Sequence, residues 1–222
     1  MDNIKISDLY NLDKTIAKGI FDKVVYPWEA LDKIKNYILE LGATLSLDEY
    51  DHPSEDVWIS KTATVFPSAY IMGPCIIDHG AQVRHCAFIR GSVIVGKDSV
   101  VGNSTELKNV ILFDNVQVPH YNYVGDSILG YKAHMGAGSI ISNLKSDKSL
   151  VKIKSGEEVI ETGIKKVGAF LGDNVEVGCK SVLNPGSIVG KESVIYPSSN
   201  VRGVIPANHI YKGINNIVER EI

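Results

Sequence analysis

The stretch IDHGAQVRHCAFIRGSVIVGKDSVV, residues 77–101, carries an aliphatic residue at every sixth position. The same step continues in both directions and returns near the C-terminus. The rungs of the two ladders are Ile59, Val65, Ile71, Ile77, Val83, Ile89, Val95, Val101 and Leu107, then Leu171, Val177, Leu183, Val189, Ile195 and Val201. A period of six fits neither an isolated helix, which needs about 3.6, nor a half-buried strand, which needs about 2. It predicts a coil of three short strands per turn, each of which supplies one inward-facing aliphatic residue.

Small or β-branched residues four positions after each rung indicate the corners of this coil. They are Ala63, Ala69, Cys75, Ala81, Ala87, Val93, Ser99 and Thr105 in the first ladder, and Val175, Ser181, Ser187, Ser193 and Ser199 in the second. Glycine, asparagine or aspartate often stands nearby, as in Gly96-Lys97-Asp98, and supplies turn conformations. Stacked coils pair their strands in parallel and bury the aliphatic columns. The sequence therefore predicts a mainly β protein, a parallel β-helix of hexapeptide repeats.

Composition and charge describe an ordinary globular chain. Its 222 residues are 44% hydrophobic and 22% charged, with a net charge of −3. Because there is no long basic run, neither nucleic acid nor an anionic membrane is an expected partner. The start MDNIKISDLY has no secretory pattern, and no apolar run approaches the roughly 20 residues of a membrane span. The three cysteines are scattered, which favours reduced thiols and a cytoplasmic address.

The first part of the chain, residues 1–50, lacks the six-residue step and predicts a helical cap or linker. Residues 29–41 predict an amphipathic helix, and a weaker helix is expected between about residues 11 and 22. The apolar face of the first helix would comprise Leu31, Ile34, Tyr37, Ile38 and Leu41. Repeat arrays need covered ends, so we expect this segment to cap the N-terminal end of the coil.

The β-helix itself is expected over residues 51–205, followed by a second cap over residues 206–222. An insertion at residues 143–166 is rich in Lys and Glu and alternates like a small hairpin. A long loop that leaves a regular scaffold is more often functional than decorative.

The ladder shortens by one residue at two places. Leu107 steps by six to Phe113 and then by five to Val118, whereas Val124 steps by five to Leu129. Between these places lies the run PHYNYVGD, residues 119–126.

This run resembles a known family. The pattern H-x-x-Y-[VL]-G-D-x-x-[IL]-G, followed by G-A-G and an asparagine, is similar to the acetyltransferase half of bifunctional sugar-1-phosphate nucleotidyltransferase/N-acetyltransferases, which make UDP-N-acetylglucosamine. The resemblance covers about residues 57–205, and Tyr26-Pro27-Trp28 resembles the linker that precedes that half. The glycine-rich loop of the nucleotidyltransferase half does not occur in this sequence, so we expect a stand-alone C-terminal half. The resemblance also implies a left-handed coil and a homotrimer with active sites at subunit boundaries.

By this resemblance, His120 is the general base. Acetyl transfer to an amine requires removal of a proton as the nitrogen attacks the thioester, and an imidazole suits that task near neutral pH. A lone histidine is more often a surface or packing residue, so the assignment depends on the surrounding motif.

The resemblance also implies roles for several neighbours in binding an amino-sugar phosphate and acetyl-CoA. Arg90 and Lys108 match positions that grip the sugar phosphate, where a guanidinium supplies two N–H donors and Lys a point charge. Tyr123 and Asn143 match positions that contact the amino sugar. Ala137, within Gly136-Ala137-Gly138, matches a backbone amide near the acetyl thioester. No metal is required for this chemistry.

Two departures from the family pattern concern the substrates. His134 stands where the family has an asparagine, which puts the acyl site or the identity of donor and acceptor in question. The loop after Asn143 resembles a longer version in which lysines assist the substrate phosphate, so Lys148 and Lys152 are candidates. Cys179 and Lys212 are candidate contacts for acetyl-CoA.

Two other functions remain open from the sequence. The γ-type carbonic anhydrases use the same repeat with three zinc-binding histidines, for which His79 and His85, six apart and able to stack on successive coils, could combine with His120. A non-catalytic scaffold or oligomerisation module is the other alternative. The sugar is also open between glucosamine-1-phosphate, which leads, galactosamine-1-phosphate and nucleotide-linked amino sugars.

Overall fold

The computed structural model describes residues 4–221. Two helices, α1 (Ile6–Leu9) and α2 (Ile34–Gly42), lie in the first part of the chain together with 3-10 turns at Leu12–Lys14, Lys18–Phe21 and Pro27–Ala30. The strands up to the insertion are β1 (Tyr50–Ser54), β2 (Val57–Ser60), β3 (Thr64–Val65), β4 (Tyr70–Ile71), β5 (Cys75–Ile77), β6 (Gln82–Val83), β7 (Phe88–Ile89), β8 (Val93–Val95), β9 (Val100–Asn103), β10 (Glu106–Leu112), β11 (Gln117–His120), β12 (Tyr123–Leu129), β13 (His134–Met135) and β14 (Ile140–Ile141). The later strands are β15 (Lys152–Ser155), β16 (Glu158–Glu161), β17 (Ala169–Leu171), β18 (Glu176–Val177), β19 (Val182–Leu183), β20 (Ser187–Val189), β21 (Val194–Ile195), β22 (Asn200–Val201), β23 (Val204–Ile205), β24 (His209–Gly213) and β25 (Asn216–Glu219).

These strands form a parallel β-solenoid with three faces. Face A stacks β2, β5, β8, the ends of β10 and β12, then β17, β20 and β23. Face B stacks β3, β6, β9, β11, β13, β18, β21 and β24, and face C stacks β4, β7, the starts of β10 and β12, then β14, β19 and β22. The parallel β-solenoid predicted from the six-residue step is therefore confirmed.

The strand register shows which residues share an inward column, and it corrects one predicted rung. Leu112, and not Phe113, pairs with Val95 and with Leu129 in the core column of face A. Phe113 packs outside the coil against the rings of Tyr10 and Phe21. Both shortened steps consequently fall at the same corner, between faces C and A, because β10 and β12 run through that corner without the usual extra residue.

Face A is apolar on its outer side as well, and the chain covers it with its own N-terminal segment. The outward residues are Trp58, Ile76, Ile94, Ile111, Ile128, Phe170 and Ile188, all buried. Trp28 packs its ring against Phe170, and the Tyr10 hydroxyl donates to the Ile128 carbonyl oxygen at 3.3 Å. The segment therefore lies along a side of the solenoid over several turns.

This placement differs from the predicted cap on the N-terminal end. At that end the rungs of the first turn are incompletely covered, and Val65 keeps 36% of its surface exposed. The period-six pattern follows only the inward residue of each strand, so it does not reveal that the outward residues of face A are apolar as well. Three consecutive apolar residues in successive turns, such as VIV at Val93–Val95, are the signal that face A is covered.

The helices in this segment are shorter than predicted. The expected helix over residues 29–41 forms only as α2, and residues 11–22 form two 3-10 turns instead of a helix. The Glu29 carboxylate accepts hydrogen bonds from the backbone N–H groups of Val25 and Tyr26, so it stabilises a turn there. The predicted apolar face is nevertheless buried at Leu31, Ile34 and Ile38.

The predicted hairpin within the insertion is present as the antiparallel pair β15–β16. At the C-terminal end, β25 pairs antiparallel with β24, and the buried Tyr211 donates its hydroxyl to the Asn200 carbonyl oxygen at 2.8 Å. Among residues 4–221, no helix is long and apolar enough to cross a membrane.

The covering of face A predicts unequal costs for two matched substitutions. Ile111 and Ile140 both point outward from the coil, but Ile111 is fully buried under the N-terminal segment and Ile140 is 41% exposed. We expect Ile111→Ala to lower the free energy of unfolding by about 2–5 kcal/mol, and Ile140→Ala by less than about 1 kcal/mol. Urea unfolding of both variants measures this difference, and equal costs would contradict the covered face.

Candidate functional site

Three of the predicted site residues lie on one edge of the solenoid, the corner between faces B and C. His120 ends β11, and Ala137 and Cys179 occupy the same corner in the next two turns. The backbone ladder shows this stacking, because Gly138 N–H donates to the His120 carbonyl oxygen and Lys180 N–H to that of Ala137, both at 2.9 Å. Adjacent turns lie about 4.8 Å apart, so these residues form a continuous line along the B–C edge.

The turn that follows His120 is fixed by a buried asparagine that the sequence analysis did not single out. The Asn122 side chain accepts from the His120 N–H at 3.1 Å and donates to the Gly136 carbonyl oxygen at 2.9 Å. Tyr121, between them, has a φ of 52° and is 65% exposed. An aromatic residue in this backbone region is uncommon, and it places an exposed ring directly beside the exposed His120.

A second cluster lies at the corner between faces C and A and is centred on Asp126. This carboxylate is 5% exposed and accepts from Lys108 Nζ at 3.2 Å, Asn109 Nδ2 at 3.0 Å and Asn143 Nδ2 at 2.5 Å. Two predicted substrate residues, Lys108 and Asn143, are therefore held by one acceptor. Asp126 was not proposed as a site residue, although it is the aspartate of the quoted VGD motif.

Tyr123 lies on face C beside this cluster, and its hydroxyl accepts from Asn143 Nδ2 at 3.3 Å. Burial, with a smaller contribution from the charge of Glu106, raises the pKa of the Tyr123 hydroxyl. The hydroxyl therefore stays protonated and available as a donor near neutral pH.

Arg90 lies one turn before Lys108 in the same outward column of face C. It forms an ion pair with Glu106 at 2.7 Å and remains about half exposed. Because Glu106 pairs with Tyr123 in the next turn, the structure brings Arg90, Lys108, Tyr123 and Asn143 onto one continuous surface.

Face B carries an apolar groove of about 350 Å³ beside the B–C edge. Its lining includes Gly136 and Gly178, where a Cβ atom would collide with the backbone of the following turn, so glycine permits the close stacking of turns there. Cys179 lines the groove, and Lys212 lies over the Tyr196 ring at 5.6 Å. Two predicted acetyl-CoA contacts, Cys179 and Lys212, therefore lie along one groove.

His134 lines this same groove and not the Asp126 cluster. Its Nδ1 atom lies 2.7 Å from the Glu176 carboxylate. The position assigned to the substrate by resemblance is thus on face B, across the B–C edge from Tyr123.

Lys148 and Lys152 lie outside the Asp126 cluster. Lys148 is exposed in the insertion, and Lys152 is in β15, where it forms an ion pair with Glu161 at 2.7 Å. In the structure they form no hydrogen bond to Asp126, Asn143 or Tyr123 among the described residues.

The predicted stacking of histidines, on which the carbonic anhydrase alternative depends, is wrong. Residues six apart lie on neighbouring corners of one turn, so His79 and His85 do not stack on successive coils. His79 Nδ1 lies 2.7 Å from the Asp78 carboxylate, and His85 Nδ1 lies 2.9 Å from Ser68 Oγ. Over residues 4–221, no three His, Cys, Asp or Glu side chains are grouped as metal ligands would be.

Comparison with known proteins identifies the family. The model of the family described as the GMPPB C-terminal domain matches residues 71–195. The Bifunctional protein GlmU of Methanococcus maripaludis (strain C5 / ATCC BAA-1333) is 30% identical over 193 residues, 86% of this chain and 47% of that protein. A bifunctional sugar-1-phosphate nucleotidylyltransferase/acetyltransferase of Sulfurisphaera tokodaii is 27% identical over 230 residues, 96% of this chain and 57% of that protein.

The chain spans about half the length of the curated relatives it matches. Among solved structures, the polySia-specific acetyltransferase NeuO superimposes with a TM-score of 0.51 at 15% identity, over 75% of this chain and 77% of that one, which shows a shared fold. Since the family model covers more than half of the sequence, this protein belongs to the GMPPB C-terminal domain family, and its hexapeptide-repeat β-helix is distantly related to the C-terminal part of bifunctional nucleotidyltransferase–acetyltransferases.

Proposed function

We propose that this protein is an acetyl-CoA-dependent N-acetyltransferase acting on an amino-sugar phosphate, with glucosamine-1-phosphate as the leading substrate. The observation that carries the proposal is the arrangement around face C. His120 lies at one edge of this face, the Lys108–Asp126–Asn143 cluster lies at the other, and Tyr123 lies between them. A base on one side of a sugar-sized surface, and a polar cluster with a lysine that could bind phosphate on the other, suit a phosphorylated amino sugar. The names of the relatives with sugar-1-phosphate activities support the same class.

In this proposal His120 accepts the proton that the substrate amine loses as its nitrogen attacks the acetyl carbonyl carbon. The N–C bond forms, the C–S bond of the thioester breaks, and the CoA sulfur leaves as a thiol after protonation. General-base assistance of this kind contributes about 10²–10⁴-fold in rate. The Ala137 N–H, one turn along the B–C edge, would donate to the carbonyl oxygen as negative charge develops on it.

The groove on face B suits the acyl donor. Its lining is mainly apolar, and it runs along the axis from the His120 side toward Lys212. A lysine at the far end would supply a positive charge for a phosphate of CoA.

We also propose a homotrimer with its active sites at the subunit boundaries. Support comes from apolar residues that remain exposed on the outer side of face C, namely Tyr70, Ile140 and Val182, at 64%, 41% and 38%. Exposed apolar surface of this kind is typical of a face that meets another chain. A cytoplasmic address stays a prediction from the reduced-thiol pattern.

A non-catalytic oligomerisation module is the second candidate function. The observation in its favour is that no residue within 4–221 forms a hydrogen bond to the His120 imidazole. A general base is normally oriented by a partner group, so a catalytic His120 needs that partner from the substrate or from a neighbouring subunit.

Replacement of His120 distinguishes the two functions. We expect His120→Ala to lower CoA release from acetyl-CoA by about 100-fold or more, because no base remains at the edge of face C. The assay uses glucosamine-1-phosphate and galactosamine-1-phosphate as acceptors. His85→Ala is the matched control, since His85 lies on the same B–C edge and is also exposed. If the folded wild type shows no turnover with either sugar, the result would favour the non-catalytic oligomerisation module.

Replacement of Asp126 tests the substrate cluster. Asp126→Asn removes the charge that holds Lys108 and Asn143, and a hydrogen bond to a charged group contributes about 1.5–3 kcal/mol. We therefore expect the KM for the sugar phosphate to rise about 10- to 100-fold, with the KM for acetyl-CoA unchanged within about twofold. Asp98→Asn is the control, because Asp98 is an exposed corner residue with a similar positive φ. Equal increases in both KM values would show a general loss of structure.

The cysteines report on the acyl-donor groove. Cys179 and Cys86 are exposed, whereas Cys75 is buried, and burial raises the pKa of its thiol. We expect alkylation to modify Cys179 and Cys86 rapidly and Cys75 only after unfolding. Saturating CoA should slow modification of Cys179 severalfold and leave Cys86 unchanged, as followed by peptide mass spectrometry. Equal protection of both, or of neither, would contradict the placement of the donor along the face B groove.

A further inference from the structure

A basic cleft lies between the hairpin β15–β16 and the C–A edge of the later turns. Its charged and polar lining comprises Lys145, Lys152, Lys154, Asn184 and Arg202, and its volume is about 290 Å³. A second depression shares Lys145, Asn184 and Arg202 with it, so the two are continuous. We call this surface the basic cleft.

Apolar contacts hold the hairpin side of the cleft in place. Val151 and Ile153 are fully buried against the solenoid. Because successive side chains of a strand point to opposite faces, Lys152 and Lys154 are not buried with Val151 and Ile153, and both line the cleft.

Two glycines on the solenoid side allow the hairpin to approach closely. A Cβ atom on Gly186 would lie 2.9 Å from Val151 Cγ1, and one on Gly203 would lie 3.0 Å from the Lys154 carbonyl oxygen. Both glycines also have positive φ values. The hairpin therefore packs directly against the solenoid at the cleft.

The cleft carries an excess of positive charge. Glu161 pairs with Lys152 at 2.7 Å, and Asp147 pairs with Lys145 at 3.5 Å. Within the described part of the chain, Lys154 and Arg202 form no ion pair with a carboxylate. Two cations are thus left for an external anion.

The centre of the basic cleft is displaced along the axis from the Asp126 cluster, and the second depression extends toward that cluster as far as Ser142 and Leu144, which flank Asn143. Arg202 belongs to the same outward column as Lys108, which continues through Gly125, Ser142 and Asn184. Four turns of about 4.8 Å place the backbone positions of Arg202 and Lys108 about 19 Å apart along the axis.

We propose that the basic cleft is a second anion-binding site, which takes the phosphate or diphosphate group of a phosphorylated ligand. An arginine fork can bind two phosphate oxygens at once, while the lysines add point charges and Asn184 a neutral donor. Ligand pockets commonly measure about 300–1,000 Å³, so this cleft accommodates the charged group and leaves the remainder of the ligand outside. The site does not depend on the proposed acetyl transfer.

Isothermal titration with inorganic pyrophosphate tests this site in the full chain. At constant ionic strength we expect saturable binding, at least about tenfold weaker in the double variant Lys154→Gln/Arg202→Gln. The control is Lys35→Gln/Lys97→Gln, which removes the same charge from exposed positions on α2 and a distant corner, with less than about a twofold effect. Thermal unfolding confirms that all variants fold. No saturable binding, or an equal loss in the control pair, would overturn the proposal.

Two further arms locate the site and its ligand. Binding of pyrophosphate should persist in Lys108→Gln, whereas a comparable loss there would assign the anion to the Asp126 cluster and overturn the proposal. Adenosine 3′,5′-bisphosphate and UDP are then used as competitors. Competition by either nucleotide, but not by its nucleoside, supports the proposal and identifies the carrier of the phosphate. Equal competition by adenosine or uridine would contradict phosphate recognition.

Discussion

The inward aliphatic columns are the constraint on which every functional arrangement in this protein depends. Each turn must deliver its core residue in register with the turns before and after it, because parallel strands pair only at matched positions. Residues distant in sequence then lie about 4.8 Å apart on one edge. His120, Ala137 and Cys179 are neighbours for this reason, even though the insertion separates the last two along the chain.

The shortened corner between faces C and A is the second constraint on the arrangement of polar side chains in this protein. Loss of one residue from two successive C–A corners lets β10 and β12 run straight through, and Asp126 is buried there. A buried carboxylate is costly unless it is paired, so Lys108, Asn109 and Asn143 must gather around it. Asn109 also donates to the Leu31 carbonyl oxygen at 3.1 Å. The N-terminal segment that covers face A is thereby joined to the Asp126 cluster.

The sequence predicted the core of this molecule better than its surfaces. Rungs such as Val83 and Leu183 repeat strictly because the interior admits one class of residue, whereas Phe113 satisfied the same hydrophobic criterion from outside the coil. The path of the N-terminal segment could not be predicted, since outward apolar residues do not say what covers them. Asp126 was missed because its role follows from three side chains brought together by the register. The prediction that His79 and His85 stack on successive turns was wrong because six residues span one face of the coil and not a full turn.

Freedom at the outward positions explains how one repeating core supports different surfaces. The inner columns of the three faces are similarly aliphatic, yet face A is covered by the chain itself, face B carries an apolar groove and face C carries Tyr123 and exposed apolar residues. Outward substitutions such as His134 leave the columns intact, because the neighbouring Met135 supplies the rung. The pairing of His134 with Glu176 can thus alter the groove on face B without a change in the fold. A solenoid of this kind separates the selection for stability, which acts on alternate residues, from the selection for chemistry, which acts on those between them.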